Sequence, residues 1–202
     1  MGNDKRQLLI DTGLTLFYQQ GINSVGINEI LKVSGIAKKT LYHHFSSKEE
    51  LVLAALEARD QRFITWLNNE LTQVQQGLPN ELSDHAKNQR VIIGLFNALT
   101  AWFNNQVPEL SPFRGCFFIN SSSECHGQYP QAADYCKAHK HKIRQLIQQH
   151  LPEADTPLLD LVYLLKEGAI VSAQVDHDLQ SAQKCVTIIK CYLANQSSER
   201  NQ

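Results

Sequence analysis

Nowhere does this chain string together enough apolar residues to span a bilayer, and its N-terminus, MGNDKRQLLID, lacks the apolar core of a secretion signal. Both absences predict a cytoplasmic protein with no membrane partner. A myristoylation motif is missing too, because Arg6 stands where that motif places Ser or Thr. Cysteines number only five (Cys116, Cys125, Cys136, Cys185 and Cys191) and are irregularly spaced. An odd, scattered set argues against a secreted disulfide scaffold and for a reducing compartment. Six prolines interrupt few segments, and there is no strand-like alternation, internal repeat or low-complexity tract. A nucleophile elbow, a phosphate-binding glycine loop and a paired-carboxylate motif are also lacking. An enzyme would have to be built from a Cys/His pair without recognisable context, so the expectation is a non-enzyme without a cofactor.

What is present is helix. The chain has 202 residues, long enough for a sizeable core. Leu8, Leu9, Leu14, Leu16 and Phe17 set a helical stripe that stops at Gly21. Ile27, Ile30, Leu31 and Val33 predict a second helix, with Gly26 at its start and Gly35 at the turn after it. A third, of about two turns, is anchored by Ile36, Leu41 and Phe45 and is too short to be stable alone. Ser46-Ser47-Lys48-Glu49-Glu50 is a doubled capping box, pairing Ser46 with Glu49 or Ser47 with Glu50, and it launches a long helix to about Gln76. Further helices are predicted over Asp84–Asn105, Pro130–His150, a capped one from Thr156-Pro157 to about 175, and 181–194. The predicted class is all-α, about nine helices.

The net charge of −1 conceals an asymmetry: residues 1–48 hold six basic and three acidic side chains, a balance of +3, and the remainder carries −4. A basic head on an acidic body puts any polyanion contact at the N-terminal end. There the segment INEILKVSGIAKKTLYHHFSSK (27–48) reads as two short helices joined at Ser34-Gly35-Ile36, the second basic and rich in hydrogen-bonding groups. A short helix held at an angle by another is the shape that enters the DNA major groove. Lys38, Lys39, Thr40, Tyr42, His43 and His44 are its candidate base or phosphate contacts. Lys48, at the start of a helix, suits a phosphate oxygen. Packing of Tyr42 and His44 against the first helix is the competing reading.

The residues Ile30, Gly35, Ile36, Thr40, Leu41, Tyr42, His44, Phe45, Ser47, Lys48, Glu49 and Leu51 follow a pattern that resembles the TetR family of one-component transcription regulators. FRGCFFINSSSE and the EGAIVSAQVDHD segment resemble the C-terminal domain of one subgroup of that family. Two positions depart from the pattern. Ala37 replaces the Ser or Thr that commonly caps the recognition helix, and Lys39 replaces a frequent Gly. The resemblance implies phosphate contacts by Thr40, Tyr42 and Lys48. It implies a DNA-binding domain over 1–48, an effector-binding and dimerisation domain over 49–202, and a dimer on a palindromic operator, usually as a repressor.

The helix 157–175 is apolar almost all round, which suits burial on two sides. With the seam at 182–193 it is the expected homodimer surface, formed by Leu161, Leu165, Val171, Val186, Ile189 and Leu193. The resemblance points to the same helices, and to a cavity for a small-molecule effector lined by Phe63, Trp66, Phe96, Phe103, Phe117, Asn120, Tyr163 and Glu167. Aromatic walls describe such a pocket and an ordinary core equally well. Cys116, beside Arg114 and near a helix start, is the candidate redox or electrophile sensor. Cys125-His126 and Cys136-x-x-His139-x-His141 have metal-capable groups but not the tight paired spacing of zinc sites.

Overall fold

The computed structural model describes residues 2–152 and 154–199. Among them there are nine α-helices and one short 3-10 turn, and no strand: α1 (Gly2–Gln20), α2 (Ile27–Ser34), α3 (Lys38–His44), α4 (Lys48–Gln76), α5 (Asp84–Phe103), the turn Pro108–Leu110, α6 (Phe117–Cys125), α7 (Pro130–His150), α8 (Thr156–Val175) and α9 (Ser181–Glu199). The all-α class read from the sequence is the class observed. Packing divides the chain into two compact units. One comprises the residues up to Arg62 with Cys116–His141; the other comprises Phe63–Gly115 with the residues from Lys142 onward.

In the first unit, α1 packs on α2 and α3. Leu9, Phe17, Ile22, Ile30, Leu41, Phe45, Leu51 and Leu56 are almost entirely buried, whereas Leu8 and Val33 point outward. Gly21 ends α1 at φ +89°, its N–H bonded to Phe17 O, and Gly35 ends α2 at φ +67°, bonded to Leu31 O. Both are left-handed turns that a side chain resists. Of the two capping pairs read from the sequence, Ser47 with Glu50 forms: Ser47 Oγ accepts the Glu50 N–H at 3.2 Å. The Glu50 carboxylate reaches back one residue further than expected, accepting the Ser46 N–H at 2.6 Å. That contact holds the exposed carboxyl below its ordinary pKa.

Also in this unit, Asp60 and His139 are buried together, with His139 Nδ1 2.6 Å from Asp60 Oδ1. Tyr135 donates its hydroxyl to Asp60 Oδ2 at 2.9 Å, and Phe118 stacks flat on the imidazole at 3.5 Å. A carboxylate this deep persists only because its oxygens are engaged.

In the second unit α5, α8 and α9 pack on one another. The helix from Thr156 is capped one residue earlier than the sequence suggested: Asp155, not Thr156, accepts the Leu158 N–H at 2.9 Å, and Thr156 opens the helix itself. The burial of α8 also departs from an all-round apolar reading. Lys166 is 1% exposed, while Leu164 is 66% exposed and Val175 67%. The buried ammonium is held by Glu167 Oε1 at 2.5 Å and lies 5.3 Å from the Tyr163 ring centroid. Glu167 thus has the partner that an acid in an apolar helix requires. No helix among the described residues is long and apolar enough to cross a membrane.

Candidate nucleic-acid interface

α3 is seven residues long, and Ala37 before it supplies no side-chain cap, so the helix borrows its order from its neighbours. Leu41 is 0% exposed, and Phe45 and Ile36 are buried on either side of it. Burying a leucine side chain contributes roughly 2 kcal/mol, a large share of what holds two turns of helix in place. The opposite face is open. Lys38, Lys39, Tyr42 and His43 are exposed, and Thr40 and His44 are half-buried. Tyr42 is therefore a surface residue rather than a core one, with the Lys38 ammonium 6.0 Å from its ring centroid. His44 lies edge-on to both His43 and Phe45.

Lys48 is differently placed. Its ammonium donates to the Ile22 carbonyl at 2.6 Å and lies 5.8 Å from the Tyr129 ring centroid. Partial burial lowers its pKa, opposed by the nearby Glu124 carboxylate. The lysine expected to meet phosphate is thus tied to the turn between α1 and α2.

That turn has a second tether, which the sequence did not announce. Glu124, at the end of α6, accepts the Asn23 N–H, and Asn23 Nδ2 donates back to the Glu124 carbonyl. A Cβ added to Gly21 would meet both Glu124 carboxylate oxygens at 3.0 Å. The only advance signal was Glu124 falling within FRGCFFINSSSE.

Cys116 is buried and immediately precedes α6. Lys140 Nζ lies 3.4 Å from its sulfur, a cation that the sequence did not announce. Burial pushes the Cys125 thiol up to about 11 and the Cys136 thiol up to about 12, which keeps both protonated. No group of three or more His, Cys, Asp or Glu side chains is arranged to hold a metal among the described residues.

The remaining candidates separate by unit. Phe117 meets Tyr18 edge-on, and Asn120 is half-buried, both in the first unit. Phe63, Trp66, Phe96 and Phe103 are buried in the second, and Tyr163 is half-buried there. Phe63 and Trp66 pack against Trp102, with Phe103 and Phe113 on its other edges, at centroid separations of 4.9–6.2 Å. Trp102 Nε1 is buried with no hydrogen-bond partner among the described residues. Of the residues expected at the dimer surface, Leu161 and Leu165 are half-buried and Val171 is exposed. Val186, Ile189 and Leu193 lie within the core of their own chain. The exposed apolar side chains on α8 and α9 are Leu164, Val171, Val175 and Ile188.

A buried anchor row beneath an open basic face, on the second helix of a glycine-hinged pair, defines a helix-turn-helix protein. The description "Bacterial regulatory proteins, tetR family" matches residues 9–55, so that segment is the DNA-binding part of a TetR-family transcription regulator. The HTH-type transcriptional regulator SrpR of Pseudomonas putida is 22% identical over 159 residues, covering 78% of this chain and 67% of SrpR. The HTH-type transcriptional repressor NemR of Escherichia coli is 40% identical over 55 residues, which is 27% of this chain and 28% of NemR. The crystal structure of SCO4454, a TetR-family regulator from Streptomyces coelicolor, superposes with a TM-score of 0.76 at 23% identity, covering 96% of each chain. That of Escherichia coli NemR in its reduced form gives 0.71 at 23% identity over 92% of this chain and 95% of NemR. Those two structures share the fold with this chain.

Proposed function

We propose that this DNA-binding regulator is a repressor that acts in the cytoplasm as a homodimer on a palindromic operator and leaves the DNA when a small molecule binds. The observation that carries the reading is the split of α3 into a buried Leu41 side and an exposed side bearing Lys38, Lys39, Tyr42 and His43. One such helix reads a single half-site, and a two-fold pair reads two, with centres about one helical turn (~34 Å) apart. The open row of Leu164, Val171 and Val175 on α8, with Ile188 on α9, supplies an apolar surface for pairing. In this reading residues 1–48 carry the DNA contacts, and 49–202 carry the effector and the partner subunit. NemR bears the name of a repressor, which supports the sign of the regulation.

The effector is assigned to the aromatic cluster of the second unit, because the Trp102 indole N–H is left without an acceptor there. A bound carbonyl or hydroxyl oxygen would satisfy it. Release follows only from unequal affinity for the DNA-bound and DNA-free forms, and a hundredfold loss of operator affinity needs about 2.7 kcal/mol of coupling.

Selection of bound sequences from random duplexes tests the reading. An inverted repeat is expected. Equal affinity for all duplexes would replace it with a sequence-blind DNA-packaging role. Leu164→Lys combined with Val175→Lys should leave a folded monomer by sedimentation, with operator affinity collapsed towards the non-specific level; a dimer that survives both charges rejects this surface.

A second reading rests on the Lys140–Cys116 contact. A cation at the sulfur favours the thiolate, which a hydroperoxide oxidises by two electrons to a sulfenic acid while the peroxide leaves as alcohol or water. A structural neighbour was solved in a form named as reduced. Mass spectrometry after peroxide treatment decides: one oxygen on Cys116 together with loss of operator binding supports it, and an unmodified Cys116 removes it.

A further inference from the structure

Arg6 stands near the start of α1 and is exposed. No hydrogen bond or ion pair holds its guanidinium among the described residues. The group rests instead over the ring of Phe45, with Cζ 5.1 Å from the centroid, a cation–π pair. Leu9 and Ile10, one turn further along the same side of α1, are 0% and 3% exposed, so Arg6 borders the packed face of its helix.

Phe45 fixes where the guanidinium lies. It caps α3, its N–H bonded to Leu41 O at 2.9 Å, and it is 2% exposed. A ring held that firmly keeps the cation above it at the C-terminal end of α3. The ring takes no hydrogen bond from the guanidinium edge, so the five N–H donors stay available to an outside acceptor. Neighbouring acids do not claim them. Glu50 directs its carboxylate to the Ser46 N–H at 2.6 Å. Asp4 is two positions before Arg6, and residues so spaced do not face each other on a helix.

A recognition helix in the major groove offers its first turns to base edges, and its C-terminal end lies beside the sugar–phosphate backbone. Lys38 and Lys39 are both at the beginning of α3, whereas its end carries His43 and His44 and no lysine or arginine. Arg6 brings to that end, from another helix, the permanent charge that α3 lacks there.

We infer that Arg6 is a DNA anchor: its guanidinium, poised on Phe45, pairs in bidentate fashion with a phosphate beside the end of α3. The inference rests on α3 being the groove-entering helix and adds a contact from outside the 27–48 segment. Phosphate contacts position a protein without reading sequence, so Arg6 contributes to every duplex alike. Arginine suits the place better than lysine, because a planar fork can lie on a ring and still meet two phosphate oxygens at its edge.

The test is binding of the full chain to its selected operator and to a random duplex, in potassium chloride from about 50 to 200 mM. Arg6→Ala should bind both duplexes about tenfold more weakly and lower the slope of log affinity against log salt by about one. Arg6→Lys should recover the slope but not the full affinity. Operators carrying a single neutral methylphosphonate, moved one position at a time, locate the contact. At a single phosphate of each half-site the wild type should weaken and Arg6→Ala weaken no further. The thermal midpoint of Arg6→Ala should move by no more than about 2 °C, since only an exposed cation–π contact is lost. An unchanged slope in Arg6→Ala overturns this inference alone, and a wild-type chain that binds no duplex overturns the DNA reading with it. Losses that add at every phosphate, or a loss confined to the operator, also overturn it. So does a fall in midpoint large enough to account for the weaker binding.

Discussion

Glu124 accepts the backbone N–H of Asn23 at 2.8 Å, and Asn23 returns a side-chain bond to the Glu124 carbonyl at 3.2 Å. The end of α6 therefore grips the turn that sets α1 against α2. Gly21 lies in the same grip, at φ +89° with the carboxylate oxygens 3.0 Å from where a Cβ would be. Gly21→Ala should destabilise the protein by about 1–3 kcal/mol, from left-handed strain together with the clash. Part of that loss should vanish in a Glu124→Ala background. Thermal denaturation of the two single variants and the double closes the cycle; simple additivity would show that Glu124 is not pressed against the turn.

Lys39 is exposed on α3, and no hydrogen bond or ion pair holds its ammonium among the described residues. If it pairs with a phosphate, Lys39→Ala leaves stability unchanged and lowers the slope of log affinity against log salt by about one. Lys48→Ala is predicted to behave differently. Removing the donor to Ile22 O loosens the α1–α2 turn, so its melting temperature should fall along with DNA affinity. An unchanged melting temperature in Lys48→Ala would return Lys48 to a direct phosphate role.

Asp60→Ala removes the acceptor for Tyr135 and the partner of His139 at a site where Asp60 and His139 are 3% and 2% exposed. Breaking a buried pair from one side typically costs about 3–5 kcal/mol, so the urea midpoint should drop steeply. A loss below about 1 kcal/mol would mean that water reaches the pair.

Acid should weaken the protein through His150, whose pKa the fold lowers below its ordinary value by desolvation. The unfolded chain then binds more protons than the folded one between the two pKa values. The His150 contribution is therefore complete above about pH 6.5 and is lost as the pH falls through and below that value. His150→Gln should flatten this part of the stability–pH curve. An unchanged slope from pH 7 to 5 in urea melts would exclude His150 as the titrating group.

The helices and the exposed basic face of α3 were legible because they depend on local pattern: apolar spacing, Gly21 and Gly35 at left-handed turns, and Leu41 and Phe45 among polar neighbours. What stayed hidden depends on partners distant in sequence. Lys48 read as a free cation because nothing near it announces the Ile22 carbonyl, twenty-six residues away. Val186, Ile189 and Leu193 form the seam that the sequence promised, yet α5 and α8 of the same chain cover it. Amphipathic periodicity says that a face is buried, not against what. The cap of α8 was placed one residue late because Asp155 and Thr156 are both competent, and only geometry chooses between them.

Ala37 leaves the N–H groups at the start of α3 without a side-chain acceptor. A hydroxyl there would stabilise α3 by about 1 kcal/mol without touching its exposed face. Natural sequences rarely sit at maximal rigidity, and an uncapped helix yields more readily than a capped one. Engineering Ala37→Ser should therefore trade tolerance among related operator sequences for tighter grip on one.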